Sequence, residues 1–215
     1  MPFISIIMNK SFIFDWSGTL SDNFHCFCKV CDLMFQELDE KPISFEEIRL
    51  NFTLPYMKFW NKYFPDLTKE KQCKLYEQFI HQVDEPELYK GVNEIINLIH
   101  NSGWKIFILS SDPISTLIPE TKKSDLSHLF QKVVGDVHEK GEVIKSLVDD
   151  FNLDKNLTFY VGDTSGDVEA GKFANVKTIG ISWGFQHKEV LSKSKPDFLI
   201  DNIIEIKDII NGAKD

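Results

Sequence analysis

Arginine is nearly missing from this 215-residue chain, where Arg49 stands alone against 23 lysines. Asp and Glu together number 33, the net charge is −9, and no stretch gathers enough positive charge to neutralise a run of phosphates. Nucleic acid is therefore excluded as the main partner. Long apolar runs are missing too. None approaches the about 18 residues that a membrane span requires, so no membrane association is expected. Cysteine is sparse: Cys26, Cys28 and Cys31 crowd one short segment and Cys73 lies far from them, which excludes a disulfide scaffold and suits a reducing compartment. The start MPFISIIMNK has no basic segment ahead of its apolar stretch and no small-residue cleavage site. No signal peptide is expected, the cytoplasm is the default location, and Met8 is a second candidate start. Internal repeats and low-complexity linkers are also missing.

What remains is an ordinary globular composition, 42% hydrophobic and 27% charged, with an unusual 18 Phe. The length suits one large domain, or one domain carrying an insertion, and a monomer is the default expectation. Phe12-Ile13-Phe14 reads as a buried strand that opens at Asp15 into the turn Ser17-Gly18-Thr19. Residues 22 to about 89 read as helical throughout, punctuated by Pro42, Pro55, Pro65 and Pro86. Within them Phe24, Phe27, Cys28, Cys31, Met34, Phe35 and Leu38 recur at helical spacing, so the cysteines read as small core residues rather than metal ligands.

From Gly91 onward helices and strands alternate. Val92, Ile95, Ile96 and Ile99 mark a helix face, and strands are expected at Lys105–Leu109, near Val133-Val134, at Leu157–Val161, at Lys177–Ile181 and at Phe198–Ile200. Such alternation implies parallel pairing through right-handed crossovers, a doubly wound α/β sheet. The helical stretch is too long to be a loop and is expected to form a separate cap over residues 21–88, with the core domain built from 1–20 and 89–215.

Ligands of open parallel sheets bind beyond the carboxyl ends of the strands. At those ends the chain places Asp15, Ser110 and Asp163, with Asp167 four residues after Asp163 and Lys140 at the entrance to a helix. Carboxylates, a hydroxyl and an amine converging in one cleft suit a hard divalent cation and a phosphoryl group. Alternatives are open for each element alone: Asp15 as a turn residue, Ser110-Ser111-Asp112 as the N-cap cluster of the next helix, Lys140 as a surface lysine.

The ordered segments Phe12-Ile-Phe-Asp15-Trp-Ser-Gly-Thr-Leu20, Leu109-Ser110-Ser111, Lys140-Gly-Glu and Val161-Gly-Asp163-Thr-Ser-Gly-Asp167 resemble the four motifs of the haloacid dehalogenase superfamily. The position of the helical insertion resembles its phosphoglycolate phosphatase and β-phosphoglucomutase-like branch. The resemblance implies a Mg²⁺-dependent phosphatase acting on a small phosphorylated metabolite. Asp15 would attack phosphorus and also ligate Mg²⁺ with the backbone carbonyl of Ser17 and the side chain of Asp163. Asp167 would hold a metal water or Lys140. Ser110, Lys140 and the backbone amides near Trp16 and Ser111 would cradle the phosphate, and Arg49 is the cap residue expected to reach the substrate.

One position departs from the resemblance. The family's phosphatases carry an acid/base Asp two residues after the nucleophile, and here that residue is Ser17. A hydroxyl cannot replace a carboxyl near neutral pH, and losing such a group typically costs roughly 10²–10⁴-fold in rate. Four outcomes follow: a substrate with a good leaving group, an acid borrowed from the cap with His25 and His81 as candidates, C–P cleavage of the phosphonoacetaldehyde hydrolase type with Lys58 as the Schiff-base amine, or a catalytically weak phosphate-binding or regulatory protein.

Overall fold

A computed structural model describes residues 9–213 of the chain. The readings of the first residues, Met8 as a start among them, lie outside the described residues. Six strands form one parallel sheet in the order β3-β2-β1-β4-β5-β6, with β1 at Ser11–Phe14, β2 at Lys105–Leu109, β3 at Lys132–Val134, β4 at Thr158–Gly162, β5 at Lys177–Ile181 and β6 at Phe198–Ile200. The expected doubly wound α/β fold is present.

The side-chain alternation of β1 explains why it is central. Phe12 and Phe14 enter a core on one face of the sheet with Trp104, Ile106 and Ile108, while Ile13 enters the core on the opposite face with Phe107, Leu109 and Tyr160. A strand apolar on both faces is stable only when helices cover both. Covering the first face are α5 (Val92–Asn101) and α10 (Ile206–Gly212), and covering the second are α7 (Lys140–Asp150) and α8 (Ser165–Phe173). Gly103, at φ +79°, makes the turn that ends α5 and returns the chain to β2.

Between β1 and β2 the chain forms α1 (Phe24–Glu37), α2 (Phe45–Asn51), α3 (Met57–Tyr63) and α4 (Lys69–Ile80). Pro42, Pro55 and Pro65 fall in the three connections between them and Pro86 follows the last, as a residue lacking a backbone donor should. Ser44 and Thr68 cap α2 and α4 through side-chain oxygens. These helices enclose a core of their own, in which Cys28 and Cys31 are fully buried beside Met34, Phe59 and Trp60. The chain enters and leaves this layer at one place, where Asp22 N donates to Glu87 O at 2.8 Å and Tyr89 N to Leu20 O at 2.9 Å. Among the described residues no helix is long and apolar enough to cross a membrane.

Phe185, in the loop after β5, belongs to the helical layer's core, with its ring centroid 5.1 Å from Phe24, 5.2 Å from Phe27 and 5.1 Å from Phe52. It is the peg that joins the two halves. Phe185→Ala is expected to cost about 3–5 kcal/mol of unfolding free energy, the usual penalty for emptying a buried Phe site, measured by denaturant titration.

Candidate active site

Asp15 follows β1, Ser110 follows β2 and Asp163 follows β4, so three neighbouring strands deliver them to one mouth of the sheet. β1 lies where the strand order reverses, with the long helical connection to β2 running to one side and later crossovers to the other. Asp15 N donates to Val161 O at 2.9 Å, continuing the sheet one residue past β1 and setting the direction of its side chain.

Lys140, the first residue of α7, reaches in from below. Its ammonium lies 2.9 Å from Asp15 Oδ2 and 2.8 Å from Asp167 Oδ1, and all three groups are buried. Asp167 is held from every side: Oδ1 accepts from Lys140 and, at 2.9 Å, from Tyr160 Oη, while Oδ2 accepts from Thr164 N at 3.1 Å and Thr164 Oγ1 at 2.6 Å. The Thr164 contacts form the capping box of α8, so a helix start doubles as an anchor for Lys140. Of the two roles foreseen for Asp167, the contact with Lys140 is the one seen.

Asp163 accepts from Phe185 N at 2.5 Å through Oδ2, and among the described residues no donor reaches its Oδ1. Gly18, at φ +73°, and Gly184 let the backbone close on this carboxylate, since a Cβ at either would overlap Asp163.

The carboxylate oxygens of Asp15, Asp163 and Asp167 come within 4.8 Å of one another. Burial is the main force on them. It pushes Asp15 up to about 7, the attraction of Lys140 opposes it, and Asp167 and Asp112 add to the rise. Asp163 is pushed well above the carboxylate range by burial, then by Asp167 and Asp15. Burial would lower Lys140, but Asp15 and Asp167 outweigh it and keep the ammonium charged. Three buried carboxylates thus share one cation. That deficit, together with the free oxygen of Asp163, fits a hard divalent cation at Asp15 and Asp163.

Ser17 and Ser110 converge on a residue that sequence reasoning read only as part of a helix cap. Asp112 Oδ2 accepts from Ser17 Oγ at 2.6 Å and from Ser110 Oγ at 2.6 Å. It caps nothing, because α6 (Ile114–Lys123) starts at Pro113 without a side-chain cap and Ile114 N turns instead to Asp136 Oδ2. Asn23 donates to Ser17 Oγ at 2.6 Å and fixes the hydroxyl toward Asp112. No spacing rule signals this contact, which joins two loops 95 residues apart.

Other expected residues fall elsewhere. The Trp16 amide donates to Asp15 Oδ1 at 2.8 Å rather than standing free, and its indole donates to Glu120 at 2.7 Å. Ser111 lines the cleft. Arg49 is not brought to it: its guanidinium donates to Gly184 O at 2.5 Å and stacks over Phe24, tying α2 to the loop after β5. Lys58 is exposed and lines an outer groove with Pro55 and Glu139, and His25 and His81 do not line the cleft.

A family model described as haloacid dehalogenase-like hydrolase matches residues 12–181. The chain belongs to this family. Across 94% of its length it is 27% identical to the pyrophosphatase PpaX of Listeria monocytogenes, covering 96% of that protein. Against the phosphoglycolate phosphatase of Aliivibrio fischeri the identity is 24%, covering 95% of this chain and 98% of that one. Its fold is similar to the crystal structure of a predicted phosphatase from Clostridium acetobutylicum, with TM-score 0.82, 19% identity and coverage of 95% and 99%. The haloacid dehalogenase-like chain is thus a hydrolase with phosphatase-named relatives.

Among the described residues Lys140 is the single basic side chain beside these carboxylates, so its removal separates electrostatics from packing. Lys140→Met is expected to cost about 3–5 kcal/mol of stability near pH 8 without metal, the usual result of orphaning a buried charge. Asp15 stands at about 7 with Lys140 beside it, already above its unfolded value, and loss of that attraction raises it further, so protonation removes the orphaned charge. The penalty should therefore shrink as pH falls from 8 to 5, a trend checked by denaturant melts across that range.

Proposed function

We propose that the chain is a Mg²⁺-dependent phosphomonoesterase that works through an aspartyl-phosphate at Asp15. Residues 21–88 act as the cap over a core of 1–20 and 89–215, in a cytoplasmic protein whose four cysteines are free. The observation that carries the reading is the Asp15 carboxylate at the cleft floor, ion-paired with Lys140 and facing Ser110 and Asp163. Phosphoryl transfer asks for this combination of in-line positioning and charge neutralisation. Asp15, the Ser17 carbonyl and Asp163 would hold Mg²⁺, with Asp167 behind them anchoring Lys140. When bound, the metal would supply charge neutralisation for the phosphoryl oxygens and the nucleophile.

The acid missing at Ser17 is supplied by Asp112. An Asp15 oxygen forms a bond to phosphorus as the bond to the ester oxygen breaks, and the Asp112 carboxyl passes a proton to the departing alkoxide. In the second step water adds to phosphorus, its proton passes to the Asp112 carboxylate, and the bond to Asp15 breaks to release phosphate. Ser110 and Lys140 hold the phosphoryl oxygens throughout. The contact of Asp112 with Ser17 favours this over a cap acid, and Lys58, exposed and outside the cleft, gives C–P cleavage no desolvated amine.

Phosphate release from acetyl phosphate should require Mg²⁺ and vanish in Asp15→Asn; turnover that survives either change would refute the aspartyl-phosphate route. Asp112→Asn should lose about 10²–10⁴-fold on alkyl phosphates and far less on acetyl phosphate, whose leaving group needs no proton. Adding Ser17→Asp to Asp112→Asn should restore much of the alkyl activity. Mg²⁺ at one hundred times its Kd should stabilise the wild type by about 2.7 kcal/mol in thermal melts and leave Asp163→Asn unmoved.

A further inference from the structure

The cavity above Asp15 carries information about the alcohol half of the substrate. Its volume is about 160 Å³, close to the about 150 Å³ of apolar cavities that hold one benzene. With a phosphoryl group on the floor, the enclosed part of this space suits a small leaving group.

The wall facing that leaving group comes from the helical layer and is mainly apolar. Phe27, Phe52, Leu54, Tyr56, Trp60 and Tyr76 form it, with uncharged polar groups at Gln72 and Cys73. Its charged members are acids: Glu77 on α4, with Asp112 and Asp136 on the opposing loops. Among the described residues lining the cavity Lys140 is the sole lysine or arginine, and it is already committed to Asp15 and Asp167. His138, against Tyr56, is held below the ordinary imidazole range, first by burial and then by Lys69. The one arginine of the chain faces Gly184 outside the cavity.

A carboxylate or second phosphate on the leaving group would therefore face an apolar wall and acidic groups with, among the described residues, no free lysine or arginine to pair it, so its desolvation would go without a compensating partner. A small alcohol with an apolar body would instead cover the aromatic wall. We propose that the substrate is the phosphate monoester of a small uncharged alcohol with an apolar body, and that the site rejects esters bearing a second anionic group. The inference rests on the phosphatase reading above. It also sets this chain apart from relatives whose names specify pyrophosphate and phosphoglycolate.

The test compares kcat/KM of the Mg²⁺-loaded protein for isobutyl phosphate, 2-phosphoglycolate, pyrophosphate and acetyl phosphate. Isobutyl phosphate and 2-phosphoglycolate have nearly the same shape and differ in the charge of the branched end. The expected result is a preference of about 100-fold or more for isobutyl phosphate over both competitors with an anionic far end, the scale on which an unpaired polar group is rejected. Equal or better turnover of 2-phosphoglycolate or pyrophosphate overturns the proposal while leaving the phosphatase reading intact. Turnover of acetyl phosphate without isobutyl phosphate does the same. Failure on all four, in a protein that binds Mg²⁺, removes the phosphatase reading and this inference with it. Glu77→Lys, at an exposed position that tolerates the change, should improve 2-phosphoglycolate relative to isobutyl phosphate about tenfold; an unchanged ratio counts against the wall's charge as the selector.

Discussion

The Lys140 ammonium between Asp15 and Asp167 is the contact around which the site is organised. A buried ion pair is costly to make, because each charge leaves water, and it persists where further hydrogen bonds complete it. Asp167 meets that condition with Tyr160 and the two Thr164 donors, and Lys140 then holds the carboxylate of Asp15 in place. The set is left short of positive charge. Three carboxylates buried around one ammonium leave an excess of negative charge at the mouth of the sheet, an arrangement that suits a hard cation.

Regular elements deliver every part of this arrangement. The sheet positions Asp15 and Asp163 on adjacent strands, α7 begins at Lys140, and α8 begins with the Thr164 box. Each charged group sits at the end of a regular element, where backbone geometry changes and a side chain can turn inward. The second half of the chemistry is held differently. Ser17, Asn23, Ser110 and Asp112 are joined by short hydrogen bonds between loops, and the helical layer closes above them through the Phe185 peg and Arg49. In the proposed reaction the sheet would capture the phosphate, whereas the leaving group would meet side chains from both halves.

Much of this was legible beforehand because it is local. Phe12-Ile13-Phe14 and Lys105–Leu109 are buried on both faces and so read as continuous apolar strands, and the prolines between α1 and α4 sit where helices must break. Asp15, Ser110, Asp163 and Lys140 stand out because each follows a strand or opens a helix. Asp112 was hidden by the same logic: Ser-Ser-Asp-Pro before a helix has the composition of an N-cap, and only the approach of the β1 loop gives its carboxylate another partner. Arg49 is the reverse case: a lone arginine in a lysine-rich chain invites a ligand role, and in the structure its guanidinium meets main-chain carbonyls of the neighbouring half.

The sequence by itself determined the strand and helix succession, the family, and the set of acids, hydroxyl and lysine at the strand ends, because periodicity and strand-end chemistry are written within a few residues of each other. Tertiary structure alone decided which carboxylate stands beside Ser17, where the one arginine points, and that the wall above Asp15 is aromatic and, among the described residues, without a free lysine or arginine. Those features arise from segments as far apart as Ser17 and Asp112, or Arg49 and Gly184, whose meeting depends on how the helical layer settles on the sheet rather than on any local pattern.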